Sequence, residues 1–337
     1  MDIRETIEET SENDEYDDFS DESDVDSDSL NPSSGDRSEG TIKVNVVGKS
    51  FQELSELRIC QELREHKKAV WALKFSPDGE YLASAGADGV ICVWKVRTGT
   101  LGRDSRSDLM HVFDEAPVRK YAGHTSHIVD LAWSKSGFLL SASLDCTVRL
   151  WHIHDPSCLC EFRHKDMVTS VDFFPEEESY FLSGSMDRKL RIWSIPQGCV
   201  LKWVQAPAVI STVTFCPGGR LCAAGLLDGQ VIFYYSDGLR YFTQTECRNH
   251  RGKDKRGRKV TGIAFVERNE GQCMVVTTND SRIRLISMDT FGLISKYKGH
   301  ANRSRQFRAS IRSRCREGVR NSSNEKYIVC GSDDDRM

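Results

Sequence analysis

One pattern recurs along this chain, and no other feature limits the fold as tightly. His66–Trp94 reads HKKAVWALKFSPDGEYLASAGADGVICVW, His124–Trp151 reads HTSHIVDLAWSKSGFLLSASLDCTVRLW, and His164–Trp193 reads HKDMVTSVDFFPEEESYFLSGSMDRKLRIW. Weaker copies occupy Ala206–Tyr234 and Lys259–Ile286, and a sixth begins at Gly299-His300. Within each copy, apolar runs of strand length are separated by turn residues. In the first, Val70–Phe75, Tyr81–Ala85 and Val90–Trp94 are the expected strands, with Ser76–Gly79 turning between the first two. Asp and Gly tolerate the positive φ of tight turns, so their placement between such runs marks hairpins. The spacing excludes helical periodicity over most of the chain and predicts an all-β fold.

Four positions repeat inside the copies. They are His66, Ser84, Asp88 and Trp94, then His124, Ser141, Asp145 and Trp151, then His164, Ser183, Asp187 and Trp193. A Ser-His-Asp set suggests hydrolysis, but a hydrolase needs one triad with an exposed nucleophile and an oxyanion hole. Three copies, each inside an alternating strand pattern, point to structure instead. No Gly-rich phosphate loop, nucleophile elbow or paired carboxylate site stands outside the repeats, so no enzyme and no cofactor are expected.

The Gly-His openings (Gly123-His124 and Gly299-His300) and the Trp six residues after a turn Asp resemble WD repeats. The resemblance implies a β-propeller of the seven-bladed family, here with about five full blades plus a partial sixth. It also implies that the four residues form a buried Asp–His–Ser–Trp hydrogen-bond chain within a blade. Such a chain gives each buried polar group a partner, where an unpaired one costs about 1–3 kcal/mol. The residue after each Trp is Lys95, His152 or Ser194 rather than Asp, but that position lies outside the chain of four. Copies four and five depart further. Ala224 and Val276 replace the Ser, Tyr234 and Ile286 replace the Trp, and no His stands at the start. Apolar packing is expected to hold them.

The stretches Ser134–Ile153, Ser179–Trp193, Gly257–Ile263, Thr277–Ile286 and Lys296–His300 resemble the WD repeat-containing protein 44-like subgroup, with the likeness covering about Leu63 to His300. That resemblance implies protein partners in membrane trafficking or signalling, including small GTPases of the Rab class. In the subgroup, Rab binding resides largely ahead of the propeller. Only about 60 mostly acidic residues precede it here, so the Rab function does not carry over.

Charge divides the chain. Residues 1–40 hold sixteen Asp/Glu against two Lys/Arg, a net of −14; subtraction from the totals of 50 and 46 leaves 34 acidic and 44 basic residues, a net of +10, for the rest. The first forty residues are read as a disordered acidic tail, too poor in apolar residues to offset ordering entropy. Ser11 and Ser23 each have an acid three residues on, the pattern of acid-directed phosphorylation, with a merely solvating tail as the plain alternative. Residues 41–56 are a linker, in which Thr41–Val47 alternates weakly like a strand. Residues 57–337 form the incomplete propeller, with repeats at about 57–96, 116–153, 157–195, 198–236, 240–288 and 291–337.

Propellers of this family close when the segment ahead of the first repeat supplies the outer strand of the last blade. Leu57–Leu63 is the expected closing strand, yet the sixth repeat is disrupted between Ile311 and Asn324 and the sequence ends four residues after Asp333. The expectation is an open ring from a truncated product, with unpaired strand edges that favour association.

The start MDIRETIEET lacks the basic-then-apolar order of a signal peptide, and no run approaches the ~20 apolar residues of a membrane helix. Twelve scattered cysteines without a CxxC pair do not suggest a disulfide framework. A cytoplasmic or nuclear location is expected. His152, His154, Cys158, Cys160 and His164 have soft-ligand character but no zinc-type spacing, so no metal is expected. The loop 248–259 carries Arg248, Arg251, Lys253, Lys255, Arg256, Arg258 and Lys259, and 303–320 carries seven arginines. Both are candidate sites for anionic partners, either phosphoinositide headgroups or nucleic acid. No aromatic residue interleaves the first loop, which disfavours nucleic acid; the plain alternative is a solvated basic loop. The long loop Arg97–Pro117 is another candidate contact. Trp94–Arg97 faintly resembles the Trp-Asp-x-Arg box of substrate receptors of cullin ubiquitin ligases, with Lys95 in place of the Asp. The leading expectation is a non-enzymatic protein-interaction scaffold.

Overall fold

The computed structural model describes residues 41–43, 56–58, 61–97, 112–248, 257–268, 271–302, 305–314 and 325–333. The tail with Ser11 and Ser23 lies outside them, as do Arg251, Lys253, Lys255 and Arg256 and most of the loop after Arg97. Every regular element among the described residues is a β-strand.

Five four-stranded antiparallel sheets follow one another as blades, each running from an inner strand to an outer one in chain order. Blade one is Val70–Phe75, Tyr81–Gly86, Val90–Lys95 and Arg119–Ala122. Blade two is Ile128–Trp133, Phe138–Ser143, Thr147–His152 and Asp155–Arg163. Blade three is Val168–Phe173, Tyr180–Ser185, Lys189–Ser194 and Cys199–Gln205. Blade four is Ile210–Phe215, Leu221–Leu226, Gln230–Tyr235 and Arg240–Glu246. Blade five is Val260–Arg268, Gly271–Thr278, Arg282–Ser287 and Leu293–Tyr297. Ser310–Arg314 and Glu325–Val329 form the two described strands of a sixth. The hairpins turn where the sequence supplies positive φ, as at Gly79 (75°) and Gly89 (72°).

Each apolar cluster belongs to two successive blades. Ala83, Ala85, Ile91 and Val93 of blade one pack with Leu131, Leu139 and Trp151 of blade two. Leu140, Ala142 and Val148 of blade two pack with Val171, Phe181 and Trp193 of blade three. The same arrangement continues to Val275 and Leu285 of blade five, which meet Ala309, Ile311 and Ile328 of the sixth. Burial of apolar area at these junctions is the main favourable term in such a fold.

Polar pegs on the inner strands reinforce the junctions. The Asp130 carboxylate accepts from Ser170 Oγ (2.6 Å) and Val171 N (3.0 Å) of the next blade. Asp172 accepts from Thr214 Oγ1 and Phe215 N, both at 2.8 Å. Ser211 Oγ donates to Val260 O (2.6 Å), and from the second strand of blade five Thr277 Oγ1 donates to Phe307 O (3.2 Å), ahead of the sixth unit's first strand.

Closure differs from expectation. Leu57–Leu63 is not placed as an outer strand; Glu56–Arg58 instead pairs antiparallel with Thr41–Lys43. Among the described residues no third strand of a last blade is present for it to join. The inner strand of blade one therefore shows an apolar face to solvent: Leu73 is 62% exposed and Phe75 52%, with Val70 and Trp71 also uncovered.

Leu73 and Leu131 hold the same register position, each opposite the Ser of the second strand. Leu131, only 1% exposed, should cost about 2–5 kcal/mol when replaced by Ala. Leu73→Ala should fall within about 0.5 kcal/mol. Chemical unfolding of the two variants measures this, and equal losses would mean that Leu73 is covered.

Candidate functional site

The repeated polar set is built from four places in a blade. The His precedes the inner strand, the Ser lies on the second strand, the Asp sits in the next hairpin, and the Trp is on the third strand. In blade one, Trp94 Nε1 donates to Ser84 Oγ (2.9 Å), Ser84 Oγ lies 2.8 Å from His66 Nε2, and His66 Nδ1 lies 2.9 Å from Asp88. In blade two the corresponding distances are 2.9, 2.7 and 2.8 Å through Trp151, Ser141, His124 and Asp145. Thr147 and the Thr125 amide also donate to Asp145. Burial works against the Asp145 carboxylate, but the His124 and Thr147 hydrogen bonds prevail and hold its pKa well below the usual range. A hydroxyl that is buried and bonded on both sides cannot attack a substrate. The sets staple strands.

Blade three departs from the expected chain. Trp193 Nε1 still donates to Ser183 Oγ (2.9 Å), which lies 2.8 Å from His164 Nε2. His164 Nδ1, however, faces Phe162 O at 3.2 Å rather than Asp187. Asp187 is bound instead by the Arg191 guanidinium, through both terminal nitrogens. Here the cation four residues on takes the carboxylate in a charge-assisted bidentate contact, whereas the equivalent Arg149 of blade two turns to Glu161 and leaves Asp145 to the imidazole. Blade five uses the same device more fully. Arg284, 2% exposed, forms an ion pair with Asp280 and a hydrogen bond with Thr278. The expectation of apolar packing thus holds for blade four, where Ala224 and Tyr234 are buried among Leu226 and Ile232, but in blade five a buried ion pair takes the place of the staple. The spacing Asp-x-x-x-Arg occurs in both hairpins but also in blade two, where Arg149 pairs with Glu161 and Asp145 keeps His124, so the spacing alone does not signal the switch.

The channel between the inner strands holds charge that sequence reading missed. Arg308 of the sixth unit forms an ion pair with Asp130 across the ring. Burial pushes Asp130 upward, but Arg308 and Lys74 outweigh it and keep its pKa below the ordinary value. Among the described residues no cation forms an ion pair with Asp172, and burial raises its pKa although the Lys74 charge opposes it. Gln306 Nε2 donates to Ser211 O (3.0 Å) and Thr261 O (3.1 Å), tying the same segment to blades four and five.

The described members of the basic segments are largely occupied. Arg248 pairs with Glu246 and Arg305 with Asp333. Lys259 is half-buried, and burial with the nearby Arg308 charge lowers its pKa. Arg97, last residue of the faint ligase-type box, is held by Asp114. The soft-ligand residues do not converge: Cys158 Sγ donates to Cys160 O, and among the described residues no cluster with metal-binding geometry occurs. The described cysteines are free thiols, and burial pushes Cys92 up to about 11. Among the described residues no helix is long and apolar enough to cross a membrane.

A groove of about 880 Å³ opens between blades three and four. Phe174, Tyr180, Leu201 and Phe215 contribute apolar surface to it, and Lys202 and Arg220 contribute charge.

The model of the WD domain, G-beta repeat, matches residues 57–95, 115–152 and 156–194. WD repeat-containing protein 44 of Xenopus laevis is 39% identical over 84% of this chain and 34% of its own length. An uncharacterized WD repeat-containing protein of Schizosaccharomyces pombe is 34% identical over 82% of this chain and 48% of its own. The 2-deoxy-glucose resistant protein 2 of Saccharomyces cerevisiae is 27% identical over 80% and 38%. The chain thus spans between a third and a half of the length of these relatives.

The redirected His164 predicts a pH dependence. Burial, with the Arg191 charge beside it, lowers its pKa from 6.5 to about 4. The unfolded chain therefore takes up this proton first as pH falls, and stability declines between pH 6.5 and about 4. His164→Gln should remove that part of the decline, read as the difference in melting temperature between variant and parent across the window; an unchanged difference contradicts it.

Proposed function

The chain belongs to the WD-repeat family, and from that premise we propose that it acts as a non-enzymatic scaffold that holds other proteins. Propellers of this family generally serve as protein-interaction platforms. The observation that carries the reading is the fate of the reactive residues. Every described His–Ser pair of the repeats is buried in a staple, with the Ser hydroxyl also bonded to a Trp. What remains outward is contact surface: the groove between blades three and four and exposed side chains such as Trp203 and Tyr241 on the outer strands. A role in trafficking or signalling belongs to this proposal through the resemblance to WD repeat-containing protein 44, and a cytoplasmic or nuclear setting is proposed beside it from composition.

Binding of anionic surfaces is the competing reading, and the pairing of Arg248, Arg305 and Arg308 with carboxylates weighs against it. Reversing Arg251, Lys253, Lys255 and Arg256 to Glu in the full chain separates the two. Cross-linked protein partners should be retained at parental levels. Loss of those partners together with loss of pelleting on anionic vesicles or nucleic acid would overturn the scaffold reading.

A further inference from the structure

The groove between blades three and four has a defined origin. In the outer strand of blade three the register slips, so that Ile192 pairs with Lys202 and Trp193 with Val200, leaving Leu201 as an extra residue. Successive strand residues normally face opposite ways, and a bulge re-aims them. Here Leu201 and Lys202 both line the groove. The same slip in blade four leaves Phe242 extra. Phe242 packs on Phe291, ring centroids 5.8 Å apart, and Phe291 in turn lies 4.9 Å from Phe233. Phe291 occupies a turn position with φ of 53°, matched in blade four by Leu239, also at 53°. So the pair that fills the junction of blades four and five is Phe-Phe, and the pair at the same positions between blades three and four is Leu-Leu. The smaller pair leaves the groove.

Its chemistry is two-sided. Phe174 and Phe215, edge to face at 5.1 Å, give an aromatic wall. Arg240 is already paired with Asp237 and lies over the Tyr235 ring. Among the described residues, Lys202 and Arg220 have no carboxylate partner, whereas the lining offers one further acid, Glu176. The unpaired charge is therefore net positive beside an apolar floor.

We propose that this groove docks an extended acidic peptide segment of a partner protein, with one large apolar side chain set among Phe174, Tyr180 and Leu201 and flanking carboxylates on Lys202 and Arg220. This rests on the scaffold reading and specifies one of its contacts.

The probe is a fluorescently labelled Asp-Asp-Phe-Asp-Asp peptide, titrated into the purified full chain and followed by anisotropy. Saturable binding is expected. It should weaken by about tenfold or more in the double variant Lys202→Glu/Arg220→Glu, and as much when the peptide's Phe is replaced by Gly. Leu201→Phe, which mimics the filled junction, should also abolish binding; the two charge variants lie at exposed positions and test the idea even if that variant fails to fold. Unchanged affinity in the double variant, equal binding of a Lys-Lys-Phe-Lys-Lys peptide, or uptake of phosphatidylserine vesicles with the peptide excluded would each overturn the groove. These failures leave the scaffold reading standing, because that reading is decided by the partner cross-linking above.

Discussion

In each of the first three blades a serine hydroxyl on the second strand accepts the indole N–H of a tryptophan on the third and meets a histidine that precedes the first. Three separate segments of chain are thereby joined at a point closed to water. Inside a β core such groups have to be satisfied, because an orphaned donor or acceptor costs about 1–3 kcal/mol. The histidine carries the connection onward, to a hairpin aspartate in blades one and two and to a backbone carbonyl in blade three. The staple fixes how each sheet twists into its hairpins, and so sets the face it shows to the next blade.

That face is where the stability lies. Each junction buries the second and third strands of one blade beneath the first strand of the next, and hydroxyl or carboxylate pegs lock the inner strands together. One consequence is directional. Blade two covers the second and third strands of blade one, but among the described residues no preceding blade covers the inner strand of blade one, which keeps four large apolar side chains in solvent. The Arg308–Asp130 pair links the sixth unit to blade two across the channel, well beyond its sequence neighbours.

Much of this was legible before any coordinates. The strand limits of blade one differ from the sequence reading by a single residue at two ends, since apolar runs and Asp-Gly turns fix them locally. The staple residues were also legible, because a buried polar chain demands fixed residue types at fixed spacing. The partner of Asp187 was not. Repetition suggested the imidazole, while the choice depends on where the arginine opposite the Ser turns: Arg191 binds Asp187, but Arg149, at the same register in blade two, binds Glu161. Arg308 and Asp130, separated by 178 residues, meet only through ring geometry. The groove depends on a one-residue slip at Leu201, which no periodicity announces.

On the proposed scaffold reading, the repeated His and Ser side chains serve the interior and leave the outer surface for contact. The claim beneath it is that Ser141 and Trp151 act on one another as a structural unit. A double-mutant cycle with Ser141→Ala and Trp151→Phe, read by chemical unfolding, tests it most directly. The account predicts that the double variant loses less than the sum of the singles, with a coupling of about 0.5–3 kcal/mol. Additive losses, with no coupling between the two positions, would contradict it.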